Sequence, residues 1–187
     1  MDEYPKQVAL TDGEIVVLRP LQRDDEAALV DFFARLPRGS TQFLKHDVRD
    51  PAVVRTFVED IDPDTVWAMV AVNEGGRIVG DATLHTTKRG WRRHVGEVRG
   101  VVAEDYRRKR LATALVHELV DQASVRGLHK LQADILSSKT DARRVFERLG
   151  FRVEARLSEH ATDLEGNVHD LLILTNPVGE IWDKMED

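Results

Sequence analysis

The stretch VVAEDYRRKRLATALVHEL, residues 101–119, places four consecutive cations directly before an amphipathic segment. Apolar residues recur at helical spacing in that segment, which predicts a helix beginning at Leu111. The amino-terminal end of a helix carries a partial positive charge, so cations at 107–110 are unfavourable there. Two interpretations stay open at this point. The cations form either an ordinary solvated surface or a site where a bound anion restores the balance.

The bulk properties of the chain set the class of protein. A length of 187 residues suits one domain with a substantial core. No apolar run reaches the roughly 20 residues that a membrane-spanning helix needs. The amino terminus, MDEYPKQVAL, is acidic and lacks an apolar signal segment. We therefore expect a cytoplasmic protein without membrane contact.

Cysteine content and charge exclude several functions. The chain contains no cysteine, which removes disulfides, thiolate metal sites and cysteine nucleophiles. Its formal net charge of −6 argues against broad affinity for nucleic acid, because a phosphate backbone is bound by positive charge. Basic islands do occur at 88–93, 107–110 and 143–152. Nucleic-acid binding through such islands is kept as the least favoured function.

Turn residues and apolar runs divide the chain into elements. Strands are expected within 13–21, 66–73, 77–87, 94–103, 130–136, 151–157 and 167–175. Helices are expected at 23–36, from Pro51 towards Asp60, at 111–126 before Gly127, and around Ala142, Val145, Phe146 and Leu149 before Gly150. Residues 37–50 are expected to form a loop, and the tail at 176–187 shows no period.

This element order predicts the fold class. A helix between two neighbouring strands implies that those strands are parallel, whereas the hairpin at Glu74-Gly75-Gly76 implies antiparallel pairing. We expect an α+β fold with a mixed, mostly antiparallel central sheet and flanking helices. The prediction is a single domain over 1–187, with its core at about 13–175.

The ordered elements resemble the GNAT superfamily of N-acetyltransferases. The resemblance rests on VVAEDYRRKRLATALVHEL, on Gly127 and on FERLGF at 146–151, and it covers roughly 13–175. Within the superfamily, the chain looks most like bacterial members that acetylate lysine side chains of other proteins. The resemblance implies acetyl-coenzyme A as the acyl donor, no metal, and a primary amine of a small molecule or a protein lysine as the acceptor.

The resemblance also implies a set of cofactor-binding residues. The family's phosphate loop reads Arg or Gln, two residues, Gly, one residue, then Gly or Ala, and arginine replaces the central glycine here. The strand at 101–102 would hold the pantetheine arm, and the loop would bind the pyrophosphate. The implied contacts are Val101, Val102, Arg107, Arg108, Lys109, Arg110, Leu111, Ala112, Thr113, Lys139 and Phe146.

Arg110 stands where the family has its central glycine, and its backbone conformation is open between two arrangements. Glycine tolerates a positive φ, whereas arginine at a positive φ costs about 1 to 2 kcal/mol. An arginine already in the first helical turn has no such cost, and its guanidinium can fold over a phosphate. We expect the second arrangement.

Glu97 is the candidate catalytic base. Transfer to an amine requires removal of a proton from that amine. Glu97 lies on the strand where the family frequently has its base, and the two-residue period puts it on the same face as Arg99 and Val101. The alternative is that Glu97 only pairs with Arg92 or Arg93. A backbone N–H near Val102 is expected to meet the developing oxyanion.

Two departures from the family favour a rival function. Where the family often has a tyrosine that protonates the leaving thiolate, this chain has Phe146, which cannot donate a proton. An asparagine often found before that helix is Lys139. The rival is a weak or inactive acyl-coenzyme A sensor or interaction module on the same fold.

Other groups of residues are weaker candidates for a functional site. The oligomeric state stays open, and a homodimer is one possibility. A metal site is not expected, because His160, Asp163, His169 and Asp170 match no compact ligand set, and His117-Glu118 lacks a second histidine. Trp91 within KRGWRR is interpreted as part of a hairpin tip with a basic rim.

Overall fold

The protein is described by a computed structural model that covers residues 4–41, 47–163 and 165–178. Its eight strands are β1 (Lys6–Ala9), β2 (Ile15–Pro20), β3 (Val66–Asn73), β4 (Ile78–His85), β5 (Val95–Val102), β6 (Lys130–Leu136), β7 (Arg152–Thr162) and β8 (Val168–Pro177). Its helices are α1 (Glu26–Arg35), α2 (Arg38–Thr41), α3 (Pro51–Asp60), α4 (Leu111–Val125) and α5 (Thr140–Arg148). Within these ranges, no helix has the length and apolar character needed to cross a membrane.

The chain groups into two compact units, each with its own part of the sheet. The first unit comprises Met1–Thr83 and Gly100–Leu115. It contains β1, β2, β3, most of β4 and the end of β5, hydrogen-bonded in that order. The β1 and β2 strands pair antiparallel with Val8 opposite Val16, and β2 and β3 pair antiparallel with Leu18 opposite Ala71.

One apolar cluster holds α1 and α3 on the strands of the first unit. Its buried members are Leu29, Phe32, Phe33, Leu36, Val54, Val58, Val70 and Ile78. Val101 and Ala103 pack against this cluster from the end of β5. Residues 104–110 therefore follow directly from a strand end that is anchored in the core.

The second unit comprises Leu84–Arg99 and Val116–Asp187. In it β5 pairs parallel with β6, β6 pairs antiparallel with β8, and β8 pairs antiparallel with β7. Gly96 permits close packing beside β5, because a Cβ there would lie 2.7 Å from Leu84 and 2.8 Å from Leu128. A side chain at residue 96 would have to displace both leucines.

The predicted fold class is confirmed. The strands form a mixed and mostly antiparallel sheet with flanking helices, and the parallel pair is the one that the α4 crossover implies. The single-domain organisation stays a prediction.

Several element boundaries follow from local signals that the sequence carries. Helix α3 begins at Pro51, and the Asp50 carboxylate accepts the N–H of Ala52 at 2.9 Å as an N-cap. Helix α4 ends before Gly127, whose φ of 67° suits a residue without a Cβ. These boundaries were predicted because capping chemistry is local.

Other elements differ from the predictions. Strand β1 was not predicted, since it forms only by pairing with β2. Residues 38–41, expected within a loop, form the short helix α2, and residues 42–46 of that expected loop lie outside the described residues. Strand β7 continues to Thr162 by pairing with β8. Strand β8 continues to Pro177, into the expected tail, because Asn176 and Pro177 pair with Leu131 and Lys130 of β6. Residues 179–187 of the tail are also outside the described residues.

Candidate active site

Strand β5 pairs with its parallel neighbour β6 along only part of its length. Pairing with β6 is recorded at three positions, Val95 with Lys130, Gly96 with Leu131 and Glu97 with Gln132. Strand β5 itself continues to Val102. Within the described residues, the backbone of 98–102 therefore has no β6 partner along this edge. Unpaired strand groups of this kind can bind an extended ligand through main-chain hydrogen bonds.

The direction of the N–H groups along β5 follows from its other edge. Ala103 donates its N–H to the carbonyl of Val79 in β4 at 2.9 Å. Because successive residues of a strand direct their N–H groups to opposite edges, the N–H of Val102 points away from β4. The open edge thus presents the Val102 donor, which is the group predicted for an oxyanion.

The first turn of α4 provides a second set of backbone donors. The helix begins at Leu111, and its first intrahelical bond runs from the N–H of Ala114 to the carbonyl of Arg110 at 3.0 Å. The N–H groups of Leu111, Ala112 and Thr113 precede that bond, so the helix itself leaves them without acceptors. Donors in this position favour an anion.

The predicted conformation of Arg110 is wrong. The residue has a φ of 68°, in the left-handed region, and lies one residue before the first residue of α4. Arg108 also has a positive φ, at 60°. Position 110 therefore keeps the backbone geometry that a glycine would adopt without cost, and each arginine carries about 1 to 2 kcal/mol of strain. The sequence could not show this, because local propensity favours a negative φ for arginine.

Replacing Arg110 by glycine is expected to stabilise the fold by about 1 kcal/mol, because the relief of left-handed strain exceeds the backbone entropy that glycine adds to the unfolded chain. Urea denaturation monitored by circular dichroism measures the free energy of unfolding. Arg107→Gly is the control, since Arg107 has a φ of −71° and gains nothing from glycine. A glycine variant at 110 that is no more stable than the wild type would contradict the strain assignment.

Two of the four cations are engaged by neighbouring side chains of the first unit. The Arg107 guanidinium donates to Ser40 Oγ at 2.7 Å and lies 3.7 Å from a Glu104 carboxylate oxygen. Lys109 Nζ lies 2.7 Å from Asp12 and 3.4 Å from Glu14. The hydrogen bond with Asp12 raises the pKa of Lys109 and lowers the pKa of Asp12.

The other two cations, Arg108 and Arg110, are exposed. Among the residues that the structure describes, their guanidinium groups form no ion pair or hydrogen bond. Uncompensated positive charge at a helix start favours an anionic ligand over an empty site. The anion site that the sequence suggests therefore rests on Arg108 and Arg110 rather than on all four cations.

Glu97 lies on β5 in the second unit, and its carboxylate accepts a hydrogen bond from Arg99 Nε at 2.8 Å. The Glu97 and Arg99 side chains are 20% and 28% exposed, so both remain accessible from solvent. The two cations named for the alternative pairing bond elsewhere, since Arg92 donates to Gln132 and Arg93 donates to the Gly90 carbonyl. The shared strand face of Glu97 and Arg99 was predicted from the two-residue period.

The remaining predicted contacts, Lys139 and Phe146, lie on the second unit. Lys139 is the residue before α5, and its N–H donates to the Leu136 carbonyl at 2.9 Å. The Phe146 ring packs edge to face on Phe151, with centroids 5.0 Å apart. Phe146 is half-buried, whereas Phe151 is only 2% exposed. Phe146 therefore stabilises the packing of α5, and it offers no proton donor.

A buried carboxyl group, Asp81 on β4, was not singled out from the sequence. Its side chain has a fully buried oxygen, Oδ1, with no hydrogen-bond partner among the described residues. Burial raises the pKa of Asp81 to about 7. The Gly100 backbone of β5 lies close beside it, since a Cβ at Gly100 would be 3.1 Å from the Asp81 carbonyl. Nothing in the local sequence distinguishes Asp81 from an ordinary strand residue.

Two further features of the structure are not assigned a function. A cleft of about 430 Å³ in the first unit is lined by both acids and cations, including Glu104, Arg35 and Arg77, and so has no clear preference for one charge. The ligand atoms of His117, Glu118 and Asp121 on α4 lie within 4.8 Å of one another. His117 Nδ1 also lies 3.3 Å from a carboxylate oxygen of Asp121, which is the ordinary spacing of side chains one helical turn apart.

Comparison with known proteins identifies the family. The model of the acetyltransferase (GNAT) family matches residues 29–151, which is more than half of the chain. In the comparison with curated protein sequences, nothing matches this chain.

Solved structures share the fold. A GNAT-family acetyltransferase from Streptococcus pneumoniae superposes with a TM-score of 0.75 at 22% identity, covering 87% of this chain and 99% of that one. The ribosomal-protein-S5-alanine acetyltransferase of Vibrio fischeri gives 0.76 at 16% identity, covering 87% and 92%. A phosphinothricin acetyltransferase from Sinorhizobium meliloti in complex with acetyl-coenzyme A gives 0.76 at 20% identity, covering 88% and 89%. With the family model matched across α1 to α5 and the fold shared, this chain belongs to the acetyltransferase (GNAT) family.

Proposed function

We propose that this chain transfers an acetyl group from acetyl-coenzyme A directly to a primary amine of a small molecule or a protein. One observation carries the proposal. The part of β5 that does not pair with β6 leads, along the chain, to the start of α4, whose first backbone N–H groups have no acceptor within the helix. Arg108 and Arg110 lie directly before this helix without an ion pair or hydrogen bond among the residues that the structure describes. Membership of the acetyltransferase (GNAT) family supports it. The Sinorhizobium meliloti relative was solved with acetyl-coenzyme A bound.

The residues present fit this cofactor. The amide groups of a pantetheine arm need hydrogen-bond partners, and the open edge at 98–102 offers a strand backbone for them. A diphosphate needs N–H donors and positive charge, which Leu111, Ala112 and Thr113 and the two unpaired arginines supply. Arg107 and Lys109 stand in the same loop, but their cationic groups already have partners at Ser40 and Asp12.

Bound acetyl-coenzyme A supplies an activated thioester. The acceptor amine is protonated at neutral pH and must lose a proton before its nitrogen can attack. Glu97 accepts that proton on its carboxylate, directly or through a water molecule. Arg99 positions the carboxylate through the 2.8 Å hydrogen bond. The N–H of Val102 stabilises negative charge that develops on the acyl oxygen.

The second candidate function is a non-catalytic acyl-coenzyme A sensor on the same fold. Phe146 favours it, because the ring packs on Phe151 and no hydroxyl is available at that position to protonate a leaving thiolate. Under the leading proposal, water or another donor protonates the thiolate.

The acceptor is proposed only as a class. The Vibrio fischeri relative is named for an alanine of a ribosomal protein, and the Sinorhizobium meliloti relative for phosphinothricin, so this fold serves both protein and small-molecule acceptors. A protein lysine and a small primary amine both remain within the proposal. Cytoplasmic location, a homodimer and the absence of nucleic-acid binding stay predictions.

Turnover is tested by incubating the protein with acetyl-coenzyme A and a panel of small amines and lysine peptides while free thiol is measured. Release of thiol that depends on an amine supports the proposal. Cofactor binding by calorimetry without any release supports the sensor. Absence of both binding and release would remove both functions.

The anion site is tested by Arg108→Gln and Arg110→Gln. Each variant is expected to weaken acetyl-coenzyme A binding by about tenfold, because a charge-assisted hydrogen bond to phosphate is lost while a polar side chain is kept. Isothermal titration calorimetry measures the Kd at low and high salt. Arg23→Gln is the matched control, since Arg23 is exposed and remote in sequence. Equal Kd values for all three variants and the wild type would argue against the site.

A further inference from the structure

A second feature of the surface is independent of the acetyl-transfer site. The connection between β4 and β5 carries KRGWRR, residues 88–93, called here the basic hairpin tip. Every residue of the tip is exposed, and Trp91 is 88% exposed. Tryptophan is highly buried on average in folded proteins, so a nearly bare ring needs an explanation.

The tip has a defined backbone rather than an extended linker. The N–H of Arg93 donates to the Gly90 carbonyl at 3.4 Å, and the N–H of Val95 donates to the Arg92 carbonyl at 2.9 Å. Gly90 has a φ of 89°, which suits glycine. These bonds form overlapping turns at 90–93 and 92–95, and Trp91 lies within the first of them. The exposed tryptophan therefore stands on ordered backbone.

The charge around Trp91 is positive. No acidic residue occurs between Asp81 and Glu97 in the sequence. Within the described part of the chain, Arg89, Arg92 and Arg93 form no ion pair with a carboxylate, and Arg92 donates instead to Gln132 at 3.1 Å. This concentration of cations stands out on a chain whose formal net charge is −6. An anionic partner is the one that such a surface attracts.

The composition of the tip discriminates between classes of partner. Tryptophan and arginine are the residue types that dominate binding energy in protein interfaces, and the planar guanidinium matches a carboxylate in a bidentate manner. A nucleic acid is bound through many phosphate contacts and by successive stacked aromatics, whereas this tip has one aromatic ring and four cations. One exposed tryptophan also offers little apolar area for a membrane surface.

We infer that the basic hairpin tip is a docking surface for an acidic segment of another protein, with Trp91 covering an apolar side chain of that segment and Arg89, Arg92 and Arg93 pairing with its carboxylates. The surface binds without any group transfer. Its existence does not depend on the proposed acetyltransferase activity, and a catalytically inactive chain would bind in the same way.

The test uses the full chain and a short fluorescein-labelled peptide of aspartate and glutamate residues with one central phenylalanine. Fluorescence anisotropy is expected to show saturable binding that weakens at high salt, because exposed charge pairs are screened. A peptide with glutamine and asparagine in place of the acids is expected to bind at least tenfold more weakly. Equal affinity for the two peptides would overturn the inference.

Variants separate the tip from the rest of the surface. Trp91→Ala and the double variant Arg89→Ser with Arg93→Ser are each expected to weaken binding by about tenfold, which is typical of residues at the centre of an interface. The control is Arg23→Ser with Arg152→Ser, which removes the same charge from exposed positions elsewhere and is expected to change the Kd by less than about twofold. Equal effects of the tip and control variants would show only non-specific attraction and overturn the inference.

Two competing partners complete the experiment. Single-stranded oligouridine and vesicles containing phosphatidylserine are titrated under the same conditions. The inference holds if the acidic peptide binds more tightly than either, and it fails if RNA or vesicles bind equally well or better. Acetyl-coenzyme A binding is measured on the same variants. It is expected to be unchanged, and this keeps failure of the docking surface separate from failure of the cofactor site.

Discussion

Replacing Glu97 by glutamine is expected to lower kcat for acetyl transfer by roughly 10² to 10⁴-fold, which is the typical contribution of a positioned general base. Glutamine keeps the size of the side chain and can still accept a hydrogen bond from Arg99, but it cannot take a proton from the amine. Binding of acetyl-coenzyme A should therefore be preserved. Steady-state kinetics with calorimetry on the same preparations separates these effects.

The control for Glu97 is Glu147→Gln, which removes an exposed carboxylate that pairs with Arg143 one turn away on α5. Such surface pairs contribute little, so wild-type kcat is expected. Loss of kcat in the Glu97 variant alone, with acetyl-coenzyme A binding preserved, would support proton transfer. If kcat and its pH profile are those of the wild type, Glu97 only pairs with Arg99 and the base is elsewhere.

Asp81 gives the largest expected effect on stability. Its pKa is about 7 in the folded chain, against an ordinary value of 3.8. The folded state therefore holds a proton that the unfolded state has released between these pH values, so the free energy of unfolding falls as pH rises from about 4 to about 7. Each pKa unit corresponds to about 1.4 kcal/mol, which makes the total at most about 4 kcal/mol.

Asp81→Asn is expected to remove this loss, because the amide is neutral at every pH in the window. The variant should have about the stability of the wild type at pH 4 and exceed it by up to about 4 kcal/mol at pH 8. Urea denaturation at both pH values measures the difference. Asp24→Asn makes the same chemical change at an exposed position. A variant at 81 with the same pH dependence as the wild type would mean that the buried oxygen is compensated.

Much of the fold was predictable because its signals are local. Asp50 and Pro51 form a capped helix start, and Gly127 follows a helix end. Both signals depend only on residues that are close in sequence. The crossover at α4 implies a parallel neighbour, and β5 and β6 are indeed parallel. Strand β1 is the counter-example, since its four residues become a strand only through pairing with β2.

The candidate site was predictable only in outline. The helix start and its cations were apparent, and the shared face of Glu97 and Arg99 followed from the strand period. The sequence did not show which cations have partners, because Ser40 and Arg107 are far apart in the chain and meet only in the folded protein. Nor did it show the positive φ of Arg110, which contradicts the local preference of arginine.

The amino-acid sequence by itself determined the class of fold, the position of the cationic helix start and most of the helices and strands. Periodicity, capping and charge could be read from it because they act between near neighbours. Only the tertiary structure decided that Lys109 pairs with Asp12, that Arg108 and Arg110 have no side-chain partner in the described part of the chain, and that Asp81 is buried. These outcomes depend on contacts between segments distant in sequence. Desolvation and ion pairing at such contacts have no counterpart in the local pattern.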